Sequence, residues 1–300
     1  MELAECDDRI HLLVADIGFG VVETFAQKFP DRFLNVGVAE QNLTGIAAGI
    51  ALSGKIVFTY SIANFPILRC LEQIRNDVCY HKANVKMVSV GGGYSYGPLG
   101  MTHHATEDIA ILRALPEMTV VAPGDPLEVR AGTRAVVEHP GPCYLRLGRA
   151  GEPTLHDATI NFELGKAIQV RDGDAITIIS TGAMLQNALQ VADKLAARGL
   201  QARVLSMHTV KPLDENALLA AARETRAVVT LEEHSIIGGL GGAVAECLAE
   251  SGIQVPFKRL GLPSAFSSHI GSQDYLRAKS DLSPDAILYA LEQILAVNVA

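Results

Sequence analysis

The sequence predicts an α/β protein of two domains, each a mostly parallel sheet flanked by helices. Short apolar runs typical of strands alternate with longer runs of helical periodicity along the whole chain. A polar, irregular tract at 148–164 interrupts this alternation, and the same pattern then restarts. The length of 300 residues is enough for two ordinary domains with a core in each. We therefore predict domains at 1–150 and 164–300, joined by a linker at 151–163.

In the first half, predicted strands alternate with predicted helices, an order that favours parallel pairing of the strands. The predicted strands are His11–Ala15, Phe33–Val38, Lys55–Tyr60, Lys86–Val90, Thr119–Ala122 and Pro142–Arg146. The predicted helices are Val21–Lys28, Glu40–Ser53, Phe65–Cys79, Thr106–Ala114 and Pro126–Glu138.

The second half repeats this alternation over a shorter length, which predicts a second, smaller α/β domain. The predicted strands are Ala175–Ser180, Gln201–Ser206, Ala227–Leu231 and Phe257–Leu260. The predicted helices are Met184–Arg198, Leu213–Glu224, Gly242–Ser251 and Pro284–Leu295.

Composition excludes several classes of protein. The net charge of −8 disfavours nucleic acid or an anionic membrane as a partner, and no apolar run is long enough to span a bilayer. The 5 cysteines contain no CxxC pair, which predicts reduced thiols rather than a disulfide framework or a zinc site. Met1–Asp8 is polar and acidic, unlike a secretory leader. These features predict a cytoplasmic protein.

The stretch Arg32–Leu52 places one carboxylate, that of Glu40, between an apolar strand and an apolar helix. Apolar residues alternate at 34, 36 and 38 as in a strand, and they then recur at helical spacing. A charged group at such a junction is costly to bury unless it has a partner. Taken alone, the pattern leaves two interpretations open: Glu40 caps the helix, or Glu40 serves a functional site.

Three segments in the same order and spacing carry a family resemblance. NVGVAEQN at 35–42, GMTHHATED at 100–108 and ILRALPEMTVVAP at 111–123 resemble signatures of the transketolase family of thiamine-diphosphate enzymes. The resemblance covers the first half of the chain as that family's pyrimidine-binding domain. More weakly, the second half is similar to its C-terminal domain.

The resemblance implies a set of residues for the cofactor. Glu40 matches the glutamate that hydrogen-bonds the aminopyrimidine ring of thiamine diphosphate. Phe65 is the expected stacking partner of that ring, and Ile62 an aliphatic wall where the family usually has an aromatic residue. Asp16 matches an acid near the thiazolium ring. From the residues alone, the alternative for Phe65 is a core position at a strand–helix junction, and the alternative for Asp16 is a cap of the helix predicted at Val21–Lys28.

A second set is implied for the substrate. His103 should face the reacting carbonyl or hydroxyl, with His104 beside it, although two solvated loop histidines would give the same pattern. Arg149 falls where the family binds a sugar phosphate, and Arg146 is either a similar group or a surface charge. Leu99 replaces an Asp that reads a substrate hydroxyl in sugar-converting relatives.

Other family contacts, a His and a Ser, are Gly91 and Gly20 here. These replacements predict a smaller and more apolar substrate site. Such a site argues against specificity for phosphoketoses, but it does not argue against two-carbon transfer.

The glycine-rich run 238–242 follows a strand and opens a helix without forming a dinucleotide fingerprint. Tight packing of helix on sheet is the favoured explanation, and anion binding at the helix start is the alternative. The residues before it, Glu232, Glu233 and His234, are predicted to be structural or to lie at an interface.

The chain lacks the Gly-Asp-Gly and downstream Asn with which the family binds magnesium and the cofactor diphosphate, and we predict no metal ligands within it. The resemblance therefore implies a partner: an N-terminal transketolase subunit that carries Mg²⁺ and the diphosphate end of the cofactor. It also implies homodimers within an α2β2 heterotetramer.

The predicted function is that of the C-terminal subunit of a split transketolase in carbohydrate metabolism. Such an enzyme transfers a two-carbon ketol unit from a ketose donor to an aldehyde acceptor. The alternatives are a deoxyxylulose-phosphate-synthase-like enzyme, a 2-oxo acid dehydrogenase beta subunit, or a non-catalytic scaffold on the same fold.

Overall fold

The computed structural model describes residues 1–157 and 159–296. It contains a 7-stranded sheet and a 5-stranded sheet, both flanked by helices, which confirms the predicted fold class. The strands are β1 (Ile10–Val14), β2 (Phe33–Asn35), β3 (Ile56–Ile62), β4 (Val85–Val90), β5 (Thr119–Val121), β6 (Cys143–Leu147), β7 (Ile168–Arg171), β8 (Ile176–Ser180), β9 (Ala202–Ser206), β10 (Thr209–Lys211), β11 (Val228–Ser235) and β12 (Phe257–Leu262).

Helices connect most successive parallel strands, as crossover connections require. They are α1 (Glu2–Cys6), α2 (Glu23–Lys28), α3 (Glu40–Leu52), α4 (Asn64–Leu68), α5 (Leu71–Gln73), α6 (Asp108–Arg113), α7 (Pro126–Glu138), α8 (Met184–Ala196), α9 (Glu215–Glu224), α10 (Leu240–Ser251), α11 (Gln273–Lys279) and α12 (Pro284–Ala296).

The strand order of the larger sheet locates its ligand crevice. The order is β10-β5-β6-β4-β3-β1-β2, and the pairings are parallel apart from that of β10 with β5. Because β1 lies between β2 and β3, the chain switches direction across the sheet at this point. In open α/β sheets, ligands bind beyond the carboxyl ends of strands at such a switch point. The crevice therefore lies beyond Val14 and Ile62.

The smaller sheet has the order β12-β11-β8-β9-β7, with β7 antiparallel at one edge. The two halves of the chain share one apolar core, since a single cluster joins residues of the first half such as Met118 to residues of the second such as Met207. Strand β10, from the second half, also pairs with β5 of the first sheet. Strand pairing and core packing therefore both connect the two halves across the predicted domain boundary.

The prediction of a single helix over Phe65–Cys79 is wrong. The segment forms α4 and α5, and then a π-helical turn at Ile74–Cys79. Its wider turn is closed by a hydrogen bond from the N–H of Tyr80 to the carbonyl of Arg75. Both Val78 and Cys79 are buried there, although an ordinary α-helix would turn neighbouring side chains apart.

A buried histidine fastens the linker to the second half. The His208 ring is fully buried and stacks on the Phe162 ring, with a distance of 3.8 Å between the centroids. Its Nδ1 pairs with Oγ1 of Thr209 at 2.9 Å, while its Nε2 has no partner among the described residues. Burial lowers the pKa of His208 to about 4.

This depressed pKa predicts a loss of stability in acid. The unfolded chain takes up the proton near pH 6.5, whereas the folded chain resists it down to about pH 4. Stability attributable to this group is therefore complete above pH 6.5 and falls as the pH drops from there. At pH 5 the loss is about 2 kcal/mol relative to pH 7.5.

We expect His208→Asn to remove this increment from the pH dependence. Denaturant titrations at pH 7.5 and pH 5 should show that the free energy of unfolding of the variant falls less than that of the wild type. His81→Asn is the matched control, because His81 is exposed. Equal falls in the wild type and in His208→Asn would show that His208 titrates normally.

Candidate active site

Glu40 is a buried carboxylate at the first residue of α3. The chain leaves β2, turns at Gly37 with a φ of 74°, and begins the helix after the N-cap Ala39. Glu40 is only 5% exposed, and its Oε1 accepts a hydrogen bond from Nη1 of Arg69 at 2.9 Å. Among the described hydrogen bonds, its carboxylate has none from a backbone N–H. The interpretation of Glu40 as a helix cap is therefore wrong.

Arg69 links Glu40 to the aromatic and histidine residues predicted for the site. Phe65 lies in α4, directly beyond the carboxyl end of β3, and Arg69 follows one helical turn later. The guanidinium carbon lies over the Phe65 ring, 4.5 Å from its centroid. The same Phe65 ring meets His103 edge to face, with 5.1 Å between centroids. Glu40, Arg69, Phe65 and His103 thus form one continuous chain of contacts.

Arg69 is the residue of this cluster that sequence reasoning missed. Its spacing of four residues from Phe65 is the one signal in the sequence, because residues i and i+4 of a helix share a face. The pairing with Glu40 is not local, since the two residues are 29 positions apart.

The histidine loop holds its two imidazoles differently. His103 is half-buried, and its Nδ1 pairs with Oγ1 of Thr102 at 3.0 Å. His104 is buried against the ring of Tyr94, and burial lowers its pKa, which favours the neutral imidazole. The interpretation of both as solvated loop residues is wrong for His104. Asn64 fastens the loop to α4 by donating to the carbonyl of Thr102 at 3.0 Å.

The buried Arg146 supports the histidine loop through hydrogen bonds. Arg146 in β6 donates from Nε to Oδ2 of Asp108 at 2.7 Å, and from Nη2 to the carbonyls of Ala105 at 2.8 Å and Glu233 at 3.1 Å. The interpretation of Arg146 as a surface charge is therefore wrong. Burial raises the pKa of Asp108, but the Arg146 guanidinium and the Tyr144 hydroxyl outweigh burial and hold that pKa below its ordinary value.

The second half of the chain holds the same loop from the other side. The Glu233 carboxylate accepts a hydrogen bond from the backbone N–H of Tyr94 at 2.7 Å and pairs with the buried guanidinium of Arg277. These contacts join β11 and α11 to the loop that carries the histidines. The C-terminal half therefore fixes the loop in place.

Asp16 and Ile62 lie at the carboxyl ends of neighbouring strands. Asp16 follows β1 with a left-handed φ of 51°, and its carboxylate accepts from Nδ2 of Asn35 at 3.1 Å. It does not cap α2, which begins at Glu23 after the N-cap Val22. Ile62 is the last residue of β3 and pairs in register with Val90.

Leu99 and Arg149 lie apart from the chain of contacts around Glu40. Leu99 ends a short 3-10 turn and is 54% exposed, so it presents an apolar surface to solvent. Arg149 is exposed beyond the carboxyl end of β6, where it lines a separate cavity of about 220 Å³ with Glu152 and Arg277.

A cavity of about 350 Å³ opens beside the Phe65 ring. Residues of both halves line it, including Arg69 and Thr102 from the first and Phe266 from the second. Glu40 and Ile62 are not part of this lining. Phe266 is 75% exposed and was not predicted for the site.

The glycine-rich helix start does not serve an external anion. Backbone N–H groups of Leu240 and Gly241 donate to the Glu232 carboxylate at 2.7 and 2.8 Å. Burial raises the pKa of Glu232 to about 7, against the opposing effect of these two N–H groups. The alternative of anion binding at this helix is wrong, because the chain's own carboxylate takes that place.

The residues around Glu40 fit a flat nitrogen heterocycle. The buried Glu40 carboxylate engages a partner through Oε1 alone among the described hydrogen bonds, which leaves Oε2 available to a ligand. Phe65 offers a ring on which a heterocycle can stack.

In the part of the chain that the structure describes, no group of three or more His, Cys, Asp or Glu residues could hold a metal ion. Within the same residues, no helix has both the length and the apolar character needed to cross a membrane.

Family models match both halves of the chain. The model for the transketolase pyrimidine binding domain matches residues 1–152, and the model for the transketolase C-terminal domain matches residues 165–287.

Individual proteins resemble the chain over nearly its full length. The 6-deoxy-6-sulfo-D-fructose transketolase subunit SqwH of Clostridium sp. (strain MSTE9) is 43% identical, covering 98% of this chain and 91% of that protein. One of the subunits of the apulose-4-phosphate transketolase of Phocaeicola vulgatus is 41% identical, covering 91% of this chain and 88% of that protein. A solved structure described as a split gene transketolase, inactive beta4 tetramer, superposes with a TM-score of 0.89 at 40% identity, covering 99% of this chain and 95% of that one.

Proposed function

The chain belongs to the transketolase family as a subunit of the split type, and we propose that it holds the pyrimidine end of thiamine diphosphate for two-carbon ketol transfer. The continuous contact of Glu40, Arg69, Phe65 and His103 at the carboxyl end of β3 carries this proposal. Alternatives related to deoxyxylulose-phosphate synthase, to a 2-oxo acid dehydrogenase, or to a scaffold have less support. The chain spans nearly the whole of relatives that are themselves named as transketolase subunits.

Each residue near the crevice has a proposed role toward the cofactor. Glu40 would hydrogen-bond the aminopyrimidine ring, Phe65 would stack on it, and Ile62 would form an aliphatic wall. Asp16 would lie near the thiazolium ring. The cofactor supplies the electron sink that carbon–carbon bond cleavage requires.

His103 is the proposed proton carrier at the substrate oxygen. Its Nδ1 is engaged by Thr102, so Nε2 is the ring nitrogen directed to proton exchange. His104, buried behind it, would support the loop and line the adjoining cavity.

The diphosphate and Mg²⁺ are proposed to bind to a partner, an N-terminal transketolase subunit. The sequence lacks the family's ligands for both, and the similar solved structure is described as a split gene transketolase, inactive beta4 tetramer. We propose an α2β2 heterotetramer in the cytoplasm, with domain boundaries near 1–150 and 164–300 and a linker at 151–163.

Calorimetry tests the division of the cofactor site. The chain alone should show no tight binding of thiamine diphosphate with magnesium, whereas the chain mixed with its partner should bind both. Magnesium-dependent binding to the isolated chain at about micromolar affinity, about −8 kcal/mol, would contradict the proposal.

The donor is proposed to be a ketose whose far end carries an anion. The names of the two relatives describe a sulfonated and a phosphorylated sugar substrate. Arg149 offers the planar donor fork that suits either anion. Leu99 supplies an apolar contact where sugar-converting relatives read a hydroxyl, which favours donors that lack or modify that group.

Leu99→Asp should shift preference toward ordinary phosphoketoses. A carboxylate at position 99 that the bound donor covers is left unpaired when the donor lacks the hydroxyl, and this costs roughly 1–3 kcal/mol, or about fivefold to 150-fold in rate. The measurement is kcat/KM of the reconstituted complex for a ketose phosphate and for a deoxy donor. Leu99→Asn is the uncharged control, and it should shift the ratio less. A ratio that does not move toward the ketose phosphate would show that Leu99 does not face the substrate.

A further inference from the structure

The guanidinium of Arg69 makes the two contacts assigned above to the cofactor ring. Its Nη1 donates to Oε1 of Glu40 at 2.9 Å, and its central carbon lies 4.5 Å from the centroid of the Phe65 ring. A flat N–H donor is therefore placed against an aromatic face and bonded to a buried carboxylate. An aminopyrimidine is also a flat group with N–H donors. Although Oε2 of Glu40 has no described partner, a ring that stacks on Phe65 within reach of Glu40 would need the space that the guanidinium takes.

We propose that Arg69 is an internal placeholder for the pyrimidine ring, and that it leaves Glu40 when thiamine diphosphate binds. This inference rests on the proposed cofactor role of Glu40 and Phe65. It adds a step to that role: the ligand displaces a side chain of the protein from the site, in addition to solvent.

Arg69 satisfies the buried Glu40 carboxylate from within the chain. A buried carboxylate without a partner is costly, and the structure gives Glu40 this partner. The Glu40 side chain is 6% exposed, whereas the Arg69 side chain is 51% exposed. Arg69 can therefore swing into solvent without leaving a buried cavity. Such a half-exposed ion pair is weak enough for a tightly bound ligand to displace.

The test is the affinity of the reconstituted complex for thiamine diphosphate in the presence of magnesium, measured by calorimetry. Arg69→Ala removes the competitor, so it should bind the cofactor about threefold to tenfold more tightly than the wild type. Arg75→Ala is the matched control, since Arg75 is exposed nearby and contacts Asn76 instead of Glu40. A residue that merely supports the fold would not raise affinity when removed. Unchanged or weaker binding by Arg69→Ala would overturn the proposal.

A second variant and a structure keep the result interpretable. If Arg69→Ala fails to fold, Arg69→Gln takes its place, because glutamine keeps a smaller polar partner for Glu40. Arg69→Gln should also bind thiamine diphosphate more tightly than the wild type. In a crystal structure of the complex with thiamine diphosphate, the distance from Arg69 Nη1 to Glu40 Oε1 should exceed hydrogen-bond range. If the 2.9 Å contact persists beside the bound ring, Arg69 positions Glu40 and the placeholder idea is wrong.

Glu40→Gln separates this inference from the proposed function. If the wild-type complex binds no thiamine diphosphate, or if Glu40→Gln binds it as well as the wild type, the cofactor role of Glu40 fails. If both results agree with that role and Arg69→Ala is no tighter than the wild type, only the placeholder fails.

Discussion

Glu40→Gln should lower the turnover of the reconstituted complex by about a hundred- to ten-thousand-fold while leaving the fold intact. Glutamine keeps the shape and the hydrogen bond to Arg69, but it cannot exchange a proton with a ring nitrogen. Proton transfer by a positioned side chain typically contributes a factor of this size. The fold should survive the loss of the charge because the described partner of the carboxylate, Arg69, is half exposed and can be solvated instead.

The measurement has two arms. Steady-state kinetics gives turnover, and quenched NMR gives the exchange rate of the thiazolium proton, which should slow in parallel. Glu72→Gln is the control, since Glu72 is an exposed acid at the nearby helix α5. Normal proton exchange in Glu40→Gln would remove Glu40 from cofactor activation and leave it as the ionic partner of Arg69.

Local patterns in the sequence predict the frame of the site because the frame is built from local structure. The strand before Glu40 and the helix after it have distinct periodicities, so the junction at Glu40 is visible in the sequence. The same holds for Phe65, which directly follows a strand, and for the loop of His103. The alternation of strands and helices predicted where these residues lie, and the family resemblance was needed to predict what they do.

Contacts between residues far apart in the sequence could not be predicted from such local patterns. The pairing of Arg69 with Glu40 depends on how α4 lies against α3, and the predicted continuous helix over Phe65–Cys79 obscured where Arg69 would point. Strand β10 has only three residues and gains its strand partner from β5, in the other half of the chain. Short elements whose partners lie far along the chain leave no periodic signal.

The same limit explains the error at Arg146. A charged residue near the end of a strand is most often exposed, and nothing near it in the sequence marks a partner. Its acceptors are Asp108, Ala105 and Glu233, and the last of these is 87 positions away. The burial of an ion pair is a property of the assembled fold.

Arg146→Met should destabilise the protein strongly, because it leaves the Asp108 carboxylate buried beside Tyr144 without its cation. Removal of one member of a buried ion pair typically costs about 3–5 kcal/mol. The loss is larger than that of an exposed pair because water cannot reach Asp108, whose side chain is 3% exposed. The carbonyls of Ala105 and Glu233 also lose their donor, so the histidine loop should shift and turnover should fall as well.

Denaturant titration and a double variant decide whether the ion pair is responsible. Asp108→Asn combined with Arg146→Met removes the uncompensated charge, and it should recover part of the free energy of unfolding that Arg146→Met alone loses. Arg134→Met is the control, since Arg134 pairs with Glu2 at the exposed surface and its loss should change stability little. If Arg146→Met behaves like Arg134→Met, water or another group compensates Asp108. In that case the loop of His103 is held by Asn64, Glu233 and Arg277, without help from Arg146.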